Sequence, residues 1–470
     1  MASPAPASRT DAVPASASRL EKAVVAHLGI FLLLLSWGFG GNSPWSRQAA
    51  CVWGTVGAAL TFFALRDADA RWRAGRWLWP TALLNLIVGA SLFNPTLLQL
   101  SLAGEVFYAK TGGHAGWPGS AQPEATRSAL WLFDGILLSC FNLLLVVRQR
   151  RSLRGLLLLA GGNALALAVF GTLQKFSGAK GLYFGLVQSP QQYFFASFIY
   201  HNHWGAFTVL MVAISLGLVG YYARRTHRDF WHSPAPSGLV AVFFLAVSIA
   251  LSTSRSCTLL VLVLLGGGFV HWLIRVGRRR TGQGGSAVPP LLGVVVVLVS
   301  GAIAYKLAQP VIEQRVAKTL EQVAQMRSQG GIGSRATLYR DTWHMASDRL
   351  LFGWGMASYP RVFLLYNNQR PGVDRLPLFY YDAHSDWLQS VAELGLVGTM
   401  LIGLQGLVPL ASLRRWPGML SGYLFAGCGL ILLYAWVEFP FGNPAVVFAW
   451  WLCFFAAIRY ARLDHRAAEP

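Results

Sequence analysis

Charge is what this sequence has least of. Only 12% of its 470 residues are Asp, Glu, Lys or Arg, against 54% that are hydrophobic. That balance excludes a string of ordinary soluble domains and fits a chain held in lipid. Acids are scarcer still, 19 against 39 Lys plus Arg, for a formal charge of +20. The basic residues stand in short clusters between apolar runs of spanning length, which is an orientation signal and not a nucleic-acid face. The five cysteines, Cys51, Cys140, Cys257, Cys428 and Cys453, lie in or beside apolar runs without CxxC spacing, which argues against a disulfide framework or a zinc site. The first twenty or so residues, rich in Ala, Ser and Pro, lack a packable pattern and read as a disordered tail. An obvious cleavable signal peptide is missing as well. The apolar stretch from Val24 to Gly40 starts late and is long for a signal core, so it reads as a retained first span.

What is present is a series of long apolar runs. A span needs about 20 apolar residues to cross about 30 Å of hydrocarbon, and such runs fall near 23–41, 47–65, 78–95, 128–147, 154–174, 202–222, 237–253, 256–274, 289–307, 386–409, 418–437 and 443–460. The sequence predicts an all-α integral membrane protein with about twelve transmembrane helices. Every second connection is basic: Arg66/Arg71/Arg73/Arg76, Arg148/Arg150/Arg151/Arg154, Arg224/Arg225/Arg228, Arg275/Arg278/Arg279/Arg280 and Arg414/Arg415. The positive-inside rule then places these clusters and both termini in the cytoplasm. A missed or invented span would put later clusters on the wrong side, and none is misplaced. The expected division is a cytoplasmic tail 1–22, spans one to nine over 23–307, an outer loop 308–385, spans ten to twelve over 386–460, and a cytoplasmic tail 461–470.

The outer face receives the 96–127 and 175–201 connections, the break near Ser254, the loop from Ala308 to Ser385 and the short turn near Glu438. Long irregular segments in an economical membrane protein are where function gathers. Within the large loop, Ile312, Val316, Leu320 and Val323 repeat at helical spacing behind Pro310, and Gly330-Gly331 ends the pattern. A second helix is expected from about Arg335 to Arg349, before the glycine-rich FGWGMASYP. Both helices are expected at the outer membrane-water boundary; the competing reading is a polar spacer.

Arg255, in LSTSRSCTLL, stands between two apolar stretches with no neighbouring acid. A central membrane arginine costs about 2.5–3.5 kcal/mol on insertion scales. Either its guanidinium grips a diphosphate through paired hydrogen bonds, or it snorkels to water from a span boundary. His384, in YYDAHSDWLQSVAELGLVG, is either a base oriented by Asp382 or Asp386, or an ordinary interfacial histidine. His201, Asn202 and His203, in YHNHWGAF, open the sixth expected span. His-x-His with remote His384-x-Asp386 has the makings of a metal set, whereas hydrogen bonding to a head group or glycan, or helix-start polarity, asks for no such convergence. No metal and no cofactor are expected. Arg335 and Arg340, in GSRATLYRDTW, do not share one helix face closely, so different partners are expected. Arg340, His344 and Asp348 recur at four-residue steps and read as a solvated salt-bridge row, which leaves Arg335 the better anion ligand.

Several motifs stand in order: GTLQKFSG, YHNHWGAF, STSRS, GSRATLYRDTWHMASDRLLFGWGMASYPRVF and AHSDWLQSVAELGLVG. In sequence and spacing, from about 165 to 400, they resemble the O-antigen ligase and polymerase superfamily of bacterial membrane glycosyltransferases. The resemblance implies transfer of a glycan from a polyprenyl-diphosphate carrier to a hydroxyl acceptor at the periplasmic face of the inner membrane. Lipid A core is the preferred acceptor, followed by a growing polysaccharide and then a protein Ser or Thr. It further implies Arg255 and Arg335 on the donor diphosphate, Arg340 as a further phosphate contact, and His384 as base or acceptor-positioning group. Asn202, His203, Asp382 and Asp386 would line the site. The family pattern often carries Arg where this chain has His201, so the role of that position stays open.

The chemistry fits. A diphosphate is already a good leaving group, so the protein has mainly to hold its charge, exclude water and align the acceptor oxygen. Arginines do this without a metal, and single displacement with inversion is expected. The alternative from another class is a transporter or flippase, since about twelve spans suit secondary carriers. Against it, the two halves show no evident repeat and the longest loop falls outside.

Overall fold

The computed structural model describes residues 17–102, 105–111, 114, 116–225, 232–280, 306, 334–368, 379–413 and 417–466. In chain order the elements are α1 (Arg19–Trp37), α2 (Pro44–Ala64), α3 (Ala68–Trp77), α4 (Trp79–Ser91), β1 (Leu97–Leu102), β2 (Glu105–Lys110), α5 (Pro123–Leu145), α6 (Arg150–Phe176), α7 (His201–Arg225), α8 (Ala235–Ser252), α9 (Arg255–Arg280), α10 (Ser334–Ser347), the one-turn α11 (Tyr359–Val362), α12 (Asp386–Leu410), α13 (Met419–Tyr434) and α14 (Pro444–Arg466).

Among the described residues, eight helices are long and apolar enough to cross a membrane: α1, α5, α6, α7, α8, α9, α12 and α14. Three other expected spans are helices that fall short of that standard. In α2, Arg47 and Gln48 dilute the apolar run, while α4 and α13 have only 13 and 16 residues. The ninth expected span, 289–307, apart from Lys306, and the helix expected behind Pro310 lie outside the described residues. The basic connection after the second span forms a helix of its own, α3, and the 96–127 connection is not wholly irregular. It carries an antiparallel hairpin in which Leu97 faces Lys110 and Leu102 faces Glu105, built on the alternating pattern of LLQLSL.

The helices pack by close approach of small residues. A Cβ on Gly54 of α2 would lie 2.7 Å from the Cα of Gly135 on α5, so these two backbones touch as small residues permit between membrane helices. Helix α14 is the buried axis, with 94% of its apolar window shielded and Phe448, Phe455 and Tyr460 inside. All five cysteines are buried and free.

The two ends of the bundle differ. At one, Glu21 at the start of α1 accepts hydrogen bonds from the backbone amides of Arg148 and Gln149, Arg148 pairs with Asp67 and Arg150 pairs with Asp464. The first two arginine clusters therefore meet the C-terminal end of α14. At the other end, Asn42 after α1 contacts His203 of α7, and Ser254 before α9 bonds Asn202. There the Asp386 amide of α12 donates to the carbonyls of Ala435 and Glu438.

The large loop is fastened to α12 through a break in that helix. Gly395 has φ 68° and ψ −176°, a region that essentially only glycine enters. The freed amides of Leu396 and Val397 donate to the carbonyls of Leu350 and Leu351 at 2.8 and 3.1 Å. In return the amides of Trp354 and Gly355 donate to Ala392 and Glu393 at 3.0 and 2.8 Å. Non-helical backbone at such a place is tolerated because the partner segment satisfies it. Any Cβ at Gly353 would sit 2.3 Å from the Glu393 carbonyl carbon, and one at Gly395 2.2 Å from the Leu351 oxygen. The glycines of FGWG and ELG are thus demanded by contact as well as by dihedral. The loop also owns a small apolar core of Leu338, Met345, Trp354, Tyr359, Phe363 and Ala383.

Gly395→Ala is expected to destabilise the protein by at least about 1–3 kcal/mol, the scale of a strained backbone residue. A lower thermal midpoint of the purified protein in detergent would show it. Gly75→Ala, where a new Cβ meets nothing within 4 Å, is expected to leave the midpoint unchanged or slightly higher.

Candidate functional site

The site is built around Glu438, in the turn between α13 and α14. Its side chain is only 4% exposed, and a carboxylate so deeply placed needs cations and donors around it. Arg335 Nη2 donates to Oε1 at 3.1 Å while Nη1 donates to the Val437 carbonyl at 3.2 Å. The Asn202 amide and the Tyr200 hydroxyl donate to the same oxygen at 3.3 and 3.4 Å. His384 Nδ1 lies 3.4 and 3.5 Å from the two carboxylate oxygens, the long end of hydrogen-bond reach. Burial, followed by the Glu438 charge, pushes the Tyr200 phenol well above its ordinary range.

His384 is held by its backbone and its ring. Its φ is 52°, in the left-handed region, and the Tyr339 hydroxyl of α10 donates to its carbonyl at 2.8 Å. The ring stands edge-on to Phe439 with centroids 4.9 Å apart. With Nδ1 toward Glu438, Nε2 has no partner among the described residues. Asp382 also faces this imidazole: burial raises its carboxyl to about 6, opposed by the charge of His384, a hydrogen bond from Gln389 and the charge of Arg47. Asp386 has other work. Its Oδ2 accepts from the Phe441 amide at 2.8 Å at the start of α12, where Ser385 is the N-cap residue, so it pins the turn that carries Glu438.

Asn202 links the cluster to Arg255. Its Oδ1 accepts from Ser254 at 2.7 Å and its amide reaches Tyr200 at 2.8 Å. Arg255 is the next residue, the first of α9, exposed and without a hydrogen bond or ion pair among the described residues. Its place follows from Thr253, whose φ of 69° ends α8 in a sharp turn. His203 is buried as a neutral connector: Nδ1 accepts from Asn42 at 3.4 Å and Nε2 donates to the Phe439 carbonyl at 3.2 Å. His201 lies against Tyr193 and Tyr200.

The structure thus brings Asn202, His203, Asp382, His384, Arg335 and the base of Arg255 to one end of the bundle. Arg340 is exposed on α10 and no hydrogen bond ties it to the cluster. The salt-bridge row expected from Arg340, His344 and Asp348 does not form through Arg340. Lys110 from the hairpin takes Asp348 at 2.8 Å and the Tyr366 hydroxyl donates to the same carboxylate. No group of three or more His, Cys, Asp or Glu able to hold a metal occurs among the described residues. Sequence reasoning noted Glu438 only as a turn marker and passed over Arg47, which reaches Asn42 and faces Asp382. The available signal for Glu438 was a lone acid between two apolar runs.

Residues 239–403 match the family model described as O-antigen ligase, which supports the superfamily that the motifs resemble. No curated protein matches the chain.

The raised Asp382 carboxyl makes stability depend on pH. Its folded pKa of about 6 exceeds the ordinary carboxyl value of 3.8, so the folded state keeps a proton that the unfolded chain has lost. Its contribution favours folding as pH falls through 6 and is fully developed below about 4. Asp382→Asn is expected to remove this slope, read as thermal midpoints between pH 7.5 and 4.5 in detergent.

Proposed function

We propose that this protein is a membrane glycosyltransferase of the O-antigen ligase type. It moves a glycan from a polyprenyl diphosphate to a hydroxyl acceptor, lipid A core first among them, at the periplasmic face of a bacterial inner membrane. A growing polysaccharide end or a protein hydroxyl would meet the same donor machinery. In this reading twelve spans, with the ninth at 289–307, keep the arginine clusters and both termini in the cytoplasm. The single observation that carries the proposal is the convergence of Arg335 and His384 on the buried Glu438 carboxylate, beside the exposed Arg255.

Each residue has a chemical part. Arg255 and the half-exposed Arg335 hold the donor diphosphate, with Arg340 as a further contact on the approach. As the anomeric bond to the diphosphate breaks, their fixed positive charge stabilises the departing oxygens. The acceptor oxygen attacks the opposite face of the anomeric carbon, which inverts its configuration. Its proton passes to Nε2 of His384, and Glu438 on Nδ1 stabilises the imidazolium so formed. Asp382 adds negative charge to the same ring. Asn202 and His203 fix the polar wall, and Asp386 fixes the turn beneath it. No metal is assigned a part in this scheme.

Two measurements test this. In lipid nanodiscs with a polyprenyl-diphosphate glycan and separated candidate acceptors, Arg335→Ala, His384→Ala and Glu438→Gln are each expected to slow transfer at least about 100-fold, the usual scale for lost acid–base or charge-stabilising groups. Folded abundance should be retained, and wild-type retention of activity in His384→Ala would remove the base assignment. A covalent glycosyl-enzyme, or loss of transfer to a chelator with rescue by a divalent ion, would overturn the mechanism.

A further inference from the structure

A second polar hollow lies away from the Glu438 cluster, between the β hairpin and the start of α5. It is an open hollow of about 350 Å³, lined by Gln99 and Tyr108 of the hairpin and Gln122 and Glu124 at the head of α5, over apolar residues that include Leu97. The volume lies in the range of small-molecule sites. The side chains of Gln99 and Gln122 and the hydroxyl of Tyr108 make no hydrogen bond among the described residues. Each glutamine offers a donor and an acceptor side by side, and Tyr108 adds an aromatic surface whose ring is approached by the Arg361 guanidinium at 5.6 Å.

The lining decides the ligand class. No lining residue is a cation, the one acid, Glu124, has the Arg127 guanidinium 3.9 Å away, and Arg361 faces the Tyr108 ring, so the lining offers little net charge to hold a phosphate or an anionic head group. A mostly apolar ligand would leave three polar groups unsatisfied. A neutral polyhydroxyl ligand satisfies the amides and the hydroxyl and lays its C–H face on the ring.

The hollow is also tied to the reacting end. The Ala121 amide donates to the Trp354 carbonyl at 2.6 Å and the Thr126 hydroxyl to that of Met356 at 2.8 Å. The Trp354 amide in turn donates to Ala392 of α12. Ala392 is six residues from Asp386, about 9 Å along the axis at 1.5 Å per residue. We infer that this hollow is a carbohydrate subsite, holding sugar units of a glycan substrate away from the reacting bond. The inference rests on the glycan-transfer reading above.

The test uses the full chain in nanodiscs and a fluorescently labelled oligosaccharide of the producing cell's own envelope polysaccharide, released by mild acid. Wild type is expected to bind it, and the pair Gln99→Ala with Gln122→Ala to weaken binding at least tenfold. Transfer by that variant should show a raised KM with kcat held. Tyr108→Phe, which keeps the ring, should weaken binding less than the pair. Arg335→Ala should bind the labelled sugar like wild type while losing transfer. Absence of binding to wild type, or equal binding by the folded double variant, overturns the subsite. Retained transfer in Arg335→Ala together with sugar binding that depends on the two glutamines would instead sink the donor reading and leave the subsite standing.

Discussion

A carboxylate removed from water constrains everything at one end of this bundle. Glu438 is 4% exposed, and only convergent positive charge and hydrogen-bond donors make that position tenable. Those donors come from the head of α7, the head of α10 and the residue before the α12 cap, spread along the sequence from Tyr200 to His384. The acid therefore acts as an assembly point. It takes one bond from Arg335, whose other goes to the adjacent Val437 carbonyl, accepts from the Asn202 amide, and sets which nitrogen of His384 faces inward. The other nitrogen is left without a hydrogen-bond partner among the described residues.

That arrangement depends on a second constraint, the joint between the loop and α12. Arg335 lies on a loop helix and His384 precedes a span, and their relation would drift if the loop were merely tethered. The exchange of four backbone hydrogen bonds across Gly395 prevents this. Glu393 strengthens the joint from the side-chain direction by accepting the Ala357 and Tyr359 amides at 2.9 and 3.0 Å. The span pays for its broken helix with a rigid mount for the loop.

How much of this the sequence reveals depends on the range of the interaction. Apolar runs are local, so helices arise at each of the eleven expected spans that fall within the described residues, and the loop helix expected near Arg335–Arg349 is found at Ser334–Ser347. The arginine alternation is likewise local, and the first two clusters do meet at one end. Gly395 was opaque because LGLVG is as apolar as the helix around it, and the break is defined by Leu350 and Leu351 from another segment. Asp348 read as a helix-face partner of Arg340 because four-residue spacing is visible, whereas Lys110 is not adjacent in any periodic sense. Glu438 was the hardest to weigh: a single acid in a turn has no pattern, and only the convergence of its neighbours gives it meaning.

The position of that acid between α13 and α14 has a consequence for biogenesis. Chains emerge from the ribosome N-terminus first, so Arg335 and His384 are both made before their common partner. Until the last hairpin of helices enters the bilayer, Arg335 and the imidazole lack the anion that orders them. A nascent or truncated chain would thus carry the pieces of the site without its geometry, and competence would arrive only with the final step of insertion.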